Sequence, residues 1–445
     1  MLRNLTLSAR KRIAAVRRAV ALRIPVVQRL LRERDSLRAE IQSVVADRNL
    51  LRAEIERAFA RQNVLVSWEF ERRNGVRFIG YAEGSLGVGE VFRASLLAAT
   101  TVQIPFVVYP LRAGIETRLT APYMPECYDH LHACDVNIIA VAVDQLPIVY
   151  RTVHPSLFEN SYNILVAYWE LPSVPDEWRR NLTYINEIWV PNNFVAKSFG
   201  SIFSGPIVVV PPAIPQPNTA FQERAFYGMQ VSRFYFLFSF DFYSSPFRKN
   251  PLAVIEAFRR AFPVGQEDVG LIIKSIGPAE HYPEINAAIL DMAKSDPRTI
   301  FLDKSLSRQD MLGLIRASDV YISLHRAEGF GLGMAEALSL GRIVIGTNYS
   351  GATDFLSEKT GYPVPYVLRP VLQHEYPCSA GQVWAEPDVE AAAEIMRNIA
   401  ADPSEAHARA ASGRTLISER YSLEAVGQLM RVRLTELLEL HRKWK

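Results

Sequence analysis

At 445 residues, with roughly 150 residues in a common domain, the chain is long enough for two large domains and an appendage. Its apolar fraction of 49% supports substantial cores, and its net charge of +3 excludes a basic nucleic-acid-binding surface spread over the whole molecule. Cys127, Cys134 and Cys378 have neither metal-ligand spacing nor an even count, which fits reduced thiols in a cytoplasm.

Residues 1–28 form a basic amphipathic arm with helical periodicity that Pro25 ends or kinks. Residues 1–32 contain nine Arg or Lys and no acid. The arm either lies on an anionic membrane surface or is solvated, and the sequence leaves both open. Arginines interrupt the apolar residues where a signal peptide needs an unbroken segment, and no apolar run of about 18 residues predicts a membrane span. We expect a cytoplasmic protein, or one peripheral on the inner face of the cell membrane.

Residues 29–62 carry a heptad pattern that predicts a coiled-coil helix. Ile41 and Ile55 lie at one core position, which Arg34 and Arg48 interrupt, and the other core position holds Leu37, Val44, Leu51 and Ala58. Glu33 of one copy would meet Arg38 of another in a parallel pair, so the pattern predicts a parallel homodimer through residues 30–58. An amphipathic helix packed on its own domain is the alternative, because about four heptads are near the minimum for a stable coil.

Residues 75–212 alternate apolar strands with helical stretches, which predicts a doubly wound parallel α/β sheet. Strands are expected at residues 76–81, 103–108, 135–143, 164–169, 187–190 and 207–210. Gly87 and Gly89 follow the first strand and open a helix. Trp169 and Glu170 follow the fourth strand, where we expect the indole to stack on a sugar and the carboxylate to accept from its hydroxyls. The alternative is that Trp169 is a core anchor.

A linker rich in proline follows at residues 211–217, and we place a hinge between two domains there. The second domain, residues 213–420, opens with an apolar strand at residues 234–240. Arg248 and Lys249 arrive where the next helix begins, so their charges suit a diphosphate; solvated surface positions are the alternative. Lys274 ends a further strand. A proline-rich surface excursion is expected over residues 362–378, and a last helix over residues 421–445.

The stretch from Ser323 to Leu338 combines a strand end, a glycine turn and the start of an apolar helix. Such a helix terminus carries unpaired N–H groups that suit a phosphate or sugar hydroxyls, and glycines let a ligand approach the backbone. Two carboxylates, Glu328 and Glu336, bracket the turn and are suitable acceptors for vicinal hydroxyls. His325 lies just ahead of them. The alternative is a plain βα turn with two solvated glutamates.

This spacing of two acids, together with the strand at residues 341–346 and the turn at residues 348–354, resembles the donor-site signature of family-four retaining glycosyltransferases. The resemblance implies the GT-B fold: two Rossmann-like doubly wound domains facing a cleft, here with an N-terminal helical coiled-coil extension. It implies a last helix that returns towards the N-terminal domain, and an acceptor bound by that domain, with its Gly87 and Gly89 loop facing the donor diphosphate.

The resemblance also assigns roles in the second domain. Glu328 would orient the transferred sugar and Glu336 the ribose, with Lys249 and Arg248 stabilising the leaving diphosphate. The remaining donor-binding positions would be Lys274, His325, Gly329, Phe330, Gly331 and Leu332. The family has a Gly-Arg pair where this chain has Phe240 and Asp241, which puts the arginine contact in doubt unless Arg248 replaces it.

The implied reaction is retaining transfer of a hexose from a nucleotide-diphosphate sugar to a glycan or lipid-linked acceptor, in surface polysaccharide synthesis. It needs no cofactor, and metal is expected to be dispensable because cations already lie at the diphosphate. Two alternatives stay open. The chain is a GT-B enzyme of another kind, such as an epimerase or phosphorylase, or an inactive GT-B protein that acts as a coiled-coil assembly partner. The sugar, base, linkage and acceptor do not follow from the sequence.

Overall fold

The structure is a computed structural model that describes residues 73–115, 118–130, 134–159, 161–216 and 221–443. The basic arm, the coiled-coil helix and the homodimer contact predicted for residues 30–58 lie outside the described residues. Among the helices that are described, none has the length and apolar character needed to cross a membrane.

The N-terminal domain is built on a six-stranded parallel sheet with strand order β2-β1-β3-β4-β5-β6. Its strands are β1 Arg73–Gly80, β2 Phe106–Pro110, β3 Cys134–Ala140, β4 Tyr162–Val166, β5 Glu187–Val190 and β6 Ile207–Val209. Its helices are α1 Gly87–Thr101, α2 Leu146–Thr152, α3 Ser156–Glu159 and α4 Asn193–Phe199. All seven residues of β3 are buried, as expected for a central strand covered on both faces.

The C-terminal domain repeats this architecture with strand order β12-β11-β10-β7-β8-β9, again all parallel. Its strands are β7 Phe234–Ser239, β8 Val269–Ser275, β9 Thr299–Asp303, β10 Val320–Ser323, β11 Ile343–Thr347 and β12 Tyr362–Val364. Its helices are α5 Pro246–Lys249, α6 Pro251–Ala261, α7 Pro283–Ser295, α8 Arg308–Ala317, α9 Leu332–Ser339, α10 Val389–Ala401 and α11 Ser404–Arg420. The two doubly wound parallel sheets predicted from the sequence are thereby confirmed.

Strand ends differ from the prediction in several places; β4, for example, ends at Val166 and not at residue 169. The third strand was expected to reach Val143, but β3 ends at Ala140, and Val143 begins a short 3-10 turn. Val141 and Val143 are nevertheless buried in the core. An apolar run therefore continues past the last hydrogen-bonded residue, which is why the pattern alone overestimates the strand.

The segment expected to be a surface excursion is more ordered than its proline content suggests. It contains an antiparallel hairpin, β13 Tyr366–Pro370 and β14 Val383–Pro387, and Trp384 in its second strand is fully buried. The loop between the strands reaches the N-terminal domain, where Gln382 Nε2 donates to the Ser173 backbone oxygen at 3.0 Å and to its Oγ at 2.7 Å. The hairpin thus connects the rims of the two domains.

The last helix, α12 Leu423–Lys443, packs against α1 of the N-terminal domain. Val426, Met430, Leu434 and Leu437 are buried along one face, at the spacing of a helix. Ile214 N donates to Tyr421 O at 2.7 Å, so the outgoing and returning connections between the domains are joined to each other.

A buried ion pair fixes α12 to the sheet. Arg433 donates from Nε to Glu187 Oε1 at 3.0 Å and from Nη2 to Oε2 at 2.6 Å. Trp189 Nε1 and the Tyr162 hydroxyl donate to the same carboxylate, at 2.7 and 3.0 Å. Because Glu187 is fully buried, its charge is stabilised by these partners and not by water.

Replacing Arg433 with methionine keeps the aliphatic stem but leaves the Glu187 carboxylate without a cation. We expect a loss of about 3–5 kcal/mol in the free energy of unfolding, measured as a lower urea midpoint. Arg431→Met, at an exposed position of the same helix, is the control and should change stability by less than about 0.5 kcal/mol. Equal midpoints for the two variants would contradict a stabilising role for the Glu187 pair.

Candidate active site

Charged side chains gather at one edge of the C-terminal sheet. Arg248 and Lys249 form the end of α5, which follows β7; Lys274 lies near the end of β8; and Glu328 follows β10. The strands are parallel neighbours, so their carboxyl ends meet at the same edge, where ligands bind in doubly wound sheets.

Glu328 lies at the centre of this group. Its side chain accepts at Oε1 from Lys249 Nζ, and Arg248 Nη1 lies 3.2 Å from Oε2. Burial alone would raise the pKa of Glu328, but the charges of Lys249 and Arg248 outweigh it and lower the pKa to about 2. The residue is therefore a carboxylate throughout the neutral range, fixed in direction by two cations.

Arg248 connects Glu328 to the N-terminal domain. It donates from Nη1 to Ala327 O at 2.8 Å and from Nε to Ser244 O at 3.2 Å, and its Nη2 lies 3.7 Å from Glu170 Oε1. Its side chain is only 4% exposed. The Arg248 guanidinium thus contacts acceptors of the protein itself, although the sequence pattern had predicted a contact with the diphosphate. It holds two carboxylates in place instead.

Lys249 is better exposed, with 20% of its side chain accessible. Burial lowers the pKa of the Lys249 ammonium, although the charge of Glu328 partly opposes this. Of the two adjacent cations, Lys249 is the more exposed.

The glycine turn after Glu328 has the backbone geometry that its sequence requires. Gly331 adopts φ 95°, in the left-handed region that favours glycine, and caps the N-terminus of α9. The neighbouring turn fixes Glu328: its N donates to Ser350 Oγ at 2.8 Å, and its O accepts from Gly351 N at 2.9 Å. Residues 348–354, singled out in the sequence, therefore support the turn directly.

Gly329 meets the N-terminal domain. Its carbonyl accepts from Asn192 Nδ2 at 2.6 Å, while Asn192 Oδ1 accepts from Val195 N at 3.0 Å and caps α4. The side chain of Phe330, in contrast, is buried among Phe355 and Tyr421, with ring centroids 5.2 and 5.6 Å away. Phe330 can therefore offer a ligand only its backbone, and Leu332 is the first residue of α9.

Glu336 lies on α9 and is 4% exposed. Arg308 Nη2 is 2.6 Å from its Oε1, as an ion pair whose geometry leaves that oxygen without a well-aligned hydrogen bond. Burial raises the pKa of Glu336, and the charge of Arg308 partly offsets this. Both glutamates thus have a cationic neighbour that also approaches the N-terminal domain, Arg248 for Glu328 and Arg308 for Glu336.

His325 does not open towards the space between the domains. The ring is fully buried, with Nδ1 3.1 Å from Ser323 Oγ and Nε2 3.4 Å from Tyr349 O. Burial lowers the pKa of His325 to about 4, so the imidazole is neutral at physiological pH. The structure places it as a support for the turn, and its buried ring is not open to the donor-binding role that the resemblance implies.

Lys274 is buried beside two carboxylates. Burial lowers its pKa to about 8, and the charges of Asp241 and Asp303 oppose that shift. Asp241, which stands where the family has arginine, accepts from Tyr243 N at 2.7 Å and so caps a short 3-10 turn. Asp241 therefore has a local structural role, and the Lys274 cation lies nearby.

The N-terminal domain contributes Glu170 to this group. The Tyr376 hydroxyl, from the hairpin loop, donates to Glu170 Oε2 at 2.9 Å. Trp169 is 7% exposed; its Nε1 donates to Ser173 O at 2.8 Å and its ring packs edge-on against Trp178. That is the position of a core anchor, and no open face remains for stacking on a sugar.

The two glycines predicted to face the donor from the N-terminal domain, Gly87 and Gly89, have different surroundings. A side chain at Gly89 would meet Gly84 O at 2.4 Å, so packing excludes one, whereas nothing lies within 4 Å of a side chain at Gly87. Gly87 begins α1, where a ligand can approach the backbone. Gly89 is required by the fold of its own loop.

Two polar residues of the site were missed from the sequence: Arg308 and Tyr376. Ser307 and Asp310 form a recognisable helix start, with Ser307 Oγ accepting from Asp310 N at 3.0 Å, but nothing marks Arg308 between them. Across the described ranges, no cluster of three or more His, Cys, Asp or Glu side chains has the arrangement of metal ligands.

Several solved structures share this architecture. HepE from Anabaena, in complex with UDP and glucose, has 13% identity and a TM-score of 0.57, covering 82% of this chain and 100% of that one. Sucrose-phosphate synthase from Thermosynechococcus elongatus has 14% identity and a TM-score of 0.60, covering 83% and 100%. A glycosyltransferase from Rickettsia africae has 15% identity and a TM-score of 0.57, covering 82% and 99%. At these identities the likeness establishes the fold.

No curated protein matches the sequence. A family model described as family 4 glycosyltransferase in conflict systems matches residues 248–429, which include Arg248, Lys249, Glu328 and Glu336. The match and the shared fold agree with the resemblance drawn from the paired acids. The chain thus has the GT-B fold, and its residues 248–429 are similar to family 4 glycosyltransferases.

Proposed function

We propose that this glycosyltransferase moves a hexose from a nucleotide-diphosphate sugar to a glycan or lipid-linked acceptor, with retention of the anomeric configuration. The observation that carries the proposal is the buried Glu328 carboxylate, held between Lys249 and Arg248 beside the start of α9. HepE, which shares the fold, is described in complex with UDP and glucose and with UDP-glucose. A role in surface polysaccharide synthesis is part of the proposal.

The charges of the site suit departure of a diphosphate. The Lys249 side chain is 20% exposed, and the N-terminus of α9 presents partial positive charge, so both would stabilise negative charge that develops on a leaving phosphate. Because these groups are provided by the protein, the proposal does not require a divalent cation.

Glu328 is unsuited to be a proton donor. With a pKa lowered to about 2, it carries no proton at neutral pH, and its two cationic partners make it a weak nucleophile. It is well suited to accept hydrogen bonds from the hydroxyls of the transferred sugar and so to orient the anomeric carbon. The acceptor proton would then pass to the departing phosphate on the same face of the sugar.

The acceptor would lie against the N-terminal domain. Glu170 and the Tyr376 hydroxyl form a polar pair on that side of Glu328, linked to it by Arg248. Burial raises the pKa of Tyr376 well above its usual value, so the hydroxyl stays neutral and can donate. Such a pair can bind the hydroxyls of an incoming glycan.

The stereochemical outcome is the direct test of the proposed reaction. With an α-linked donor and an accepted glycan, we expect an α-linked product, read from the anomeric proton coupling in the nuclear magnetic resonance spectrum. Transfer should persist in excess chelator, because Lys249 and the helix terminus provide the positive charge. A β-linked product would refute retention. Conversion of the donor to its epimer without an acceptor would point to an epimerase, and a sugar phosphate formed with inorganic phosphate would point to a phosphorylase.

Nucleotide binding tests the two halves of the donor pocket. Lys249→Ala removes the positive charge that would lie beside the diphosphate, and Glu336→Gln removes the negative charge that would accept from the ribose. Each variant should weaken nucleoside diphosphate binding by about tenfold or more in titration calorimetry. Lys294→Ala and Glu284→Gln, both exposed on α7, are the matched controls and should leave affinity unchanged. If the pocket variants bind like their controls, the donor pocket lies elsewhere.

Lys274 predicts a pH dependence of donor binding. Its pKa is lowered to about 8, so the side chain is a cation below that pH and neutral above it. If its charge attracts the donor diphosphate, the KM for the donor should rise as the pH increases through about 8, by up to about tenfold. Lys274→Met should raise KM at neutral pH and flatten this dependence, while Lys294→Met keeps the wild-type profile. Parallel profiles for wild type and Lys274→Met would exclude such a role.

A further inference from the structure

Arg308 approaches carboxylates from both domains. It is the first residue of α8, and its Nη2 lies 2.6 Å from Glu336 Oε1 on α9. Its Nε lies 3.7 Å from Glu90 Oε2, in the first turn of α1. Glu90 is itself bound by Arg93, whose Nη2 donates at 2.7 Å. Neither Arg308 nor Glu90 belongs to the paired-acid motif.

The two contacts of Arg308 differ in strength. Glu336 has a side chain only 5% exposed, so the guanidinium is its main compensation for lost hydration, and removing it leaves a buried charge unpaired. The contact with Glu90 is longer and both side chains are about one-third exposed, so water screens it. Arg308 therefore matters chiefly to Glu336, and Glu90 holds the guanidinium on the side facing the N-terminal domain.

The charge state of Glu336 depends on a small set of neighbours. Burial and Glu90 both raise its pKa, whereas Arg308 lowers it, and the Tyr321 hydroxyl of β10 lies near enough to interact with it. Without Arg308, the surroundings favour the protonated acid. A protonated carboxyl donates one hydrogen bond, whereas the carboxylate accepts from both hydroxyls of a vicinal diol.

We propose that Arg308 is a positioning residue for the donor nucleoside: it keeps Glu336 as an aligned carboxylate and thereby makes the enzyme select ribonucleoside diphosphates with an intact ribose diol. The inference rests on the proposed function, in which Glu336 meets the ribose. It assigns Arg308 no contact with the reacting atoms. Arg308 occupies Oε1 of Glu336 at 2.6 Å, so a ribose hydroxyl would be received at Oε2.

The test compares two ligands that differ only in the ribose. Calorimetry measures the affinity of wild type and Arg308→Met for UDP and for the UDP analogue that lacks both ribose hydroxyls. Wild type should prefer UDP by about tenfold or more, the value of two charge-assisted hydrogen bonds less their desolvation. Arg308→Met should lose most of that preference through weaker UDP binding, while its affinity for the analogue stays within about threefold of wild type.

Three further measurements separate positioning from a general structural effect. Arg308→Lys, which keeps the charge, should recover part of the preference for UDP. In Arg308→Met, UDP affinity should improve as the pH rises and Glu336 ionises, whereas Glu336→Gln should show no such recovery. Arg316→Met, an exposed arginine of the same helix, should behave as wild type.

The outcomes distinguish this inference from the proposed function beneath it. If wild type binds UDP and Arg308→Met retains the full preference for it, or loses affinity for both ligands equally, the positioning role is refuted while the donor pocket stands. If wild type binds none of UDP, GDP, dTDP and ADP, the donor function fails, and the role of Arg308 fails with it.

Discussion

The site depends on a buried carboxylate between two cations. Glu328 has lost most of its hydration, and Lys249 and Arg248 replace it. The two cations come from α5, a single turn between β7 and α6, while Glu328 comes from the turn after β10. Separating these segments would leave one buried charge of each sign unpaired, at a cost of several kcal/mol. The sheet edge and the glycine turn therefore hold each other in place.

The same interaction extends across the molecule through shared partners. Arg248 also approaches Glu170, and Arg308 joins Glu336 to Glu90, so each motif glutamate has a cation that also approaches a carboxylate of the N-terminal domain. These contacts between the domains are made by charged groups, unlike those of an interface built from apolar contacts alone. The charges proposed to bind the donor therefore also contribute to the fit between the domains.

Much of the architecture follows from local patterns, because apolar strands buried on both faces are nearly continuous in sequence. The paired acids and the glycine turn are equally visible, since Gly331 needs a left-handed backbone and Glu328 and Glu336 keep a fixed spacing. The surroundings of each side chain are not visible. Trp169 and His325 follow strands, as ligand-binding residues do, yet both are buried. Sequence position gives the end of a strand but not whether a neighbouring segment covers it.

Long-range partners explain most of what the sequence leaves out. Tyr376 reaches Glu170 from a loop about 200 positions away, a contact that arises because the hairpin folds back over the rim. Arg308 lies in an ordinary helix start, and only the packing of α8 beside α9 gives it a carboxylate. Asp241 shows the reverse: it departs from the family pattern, and its hydrogen bond to Tyr243 N gives the departure a local reason.

The bond from Asn192 to the Gly329 carbonyl has a mechanical consequence. Asn192 also caps α4, so the glycine turn and that helix shift as one unit for as long as the bond lasts. β5 ends beside Asn192, and β1 precedes Glu90. These two strands are three strand spacings apart in the sheet, a distance of about 14 Å. The Asn192 bond, at 2.6 Å, is therefore a tighter link between the domains than the 3.7 Å contact of Arg308 with Glu90 on the β1 side.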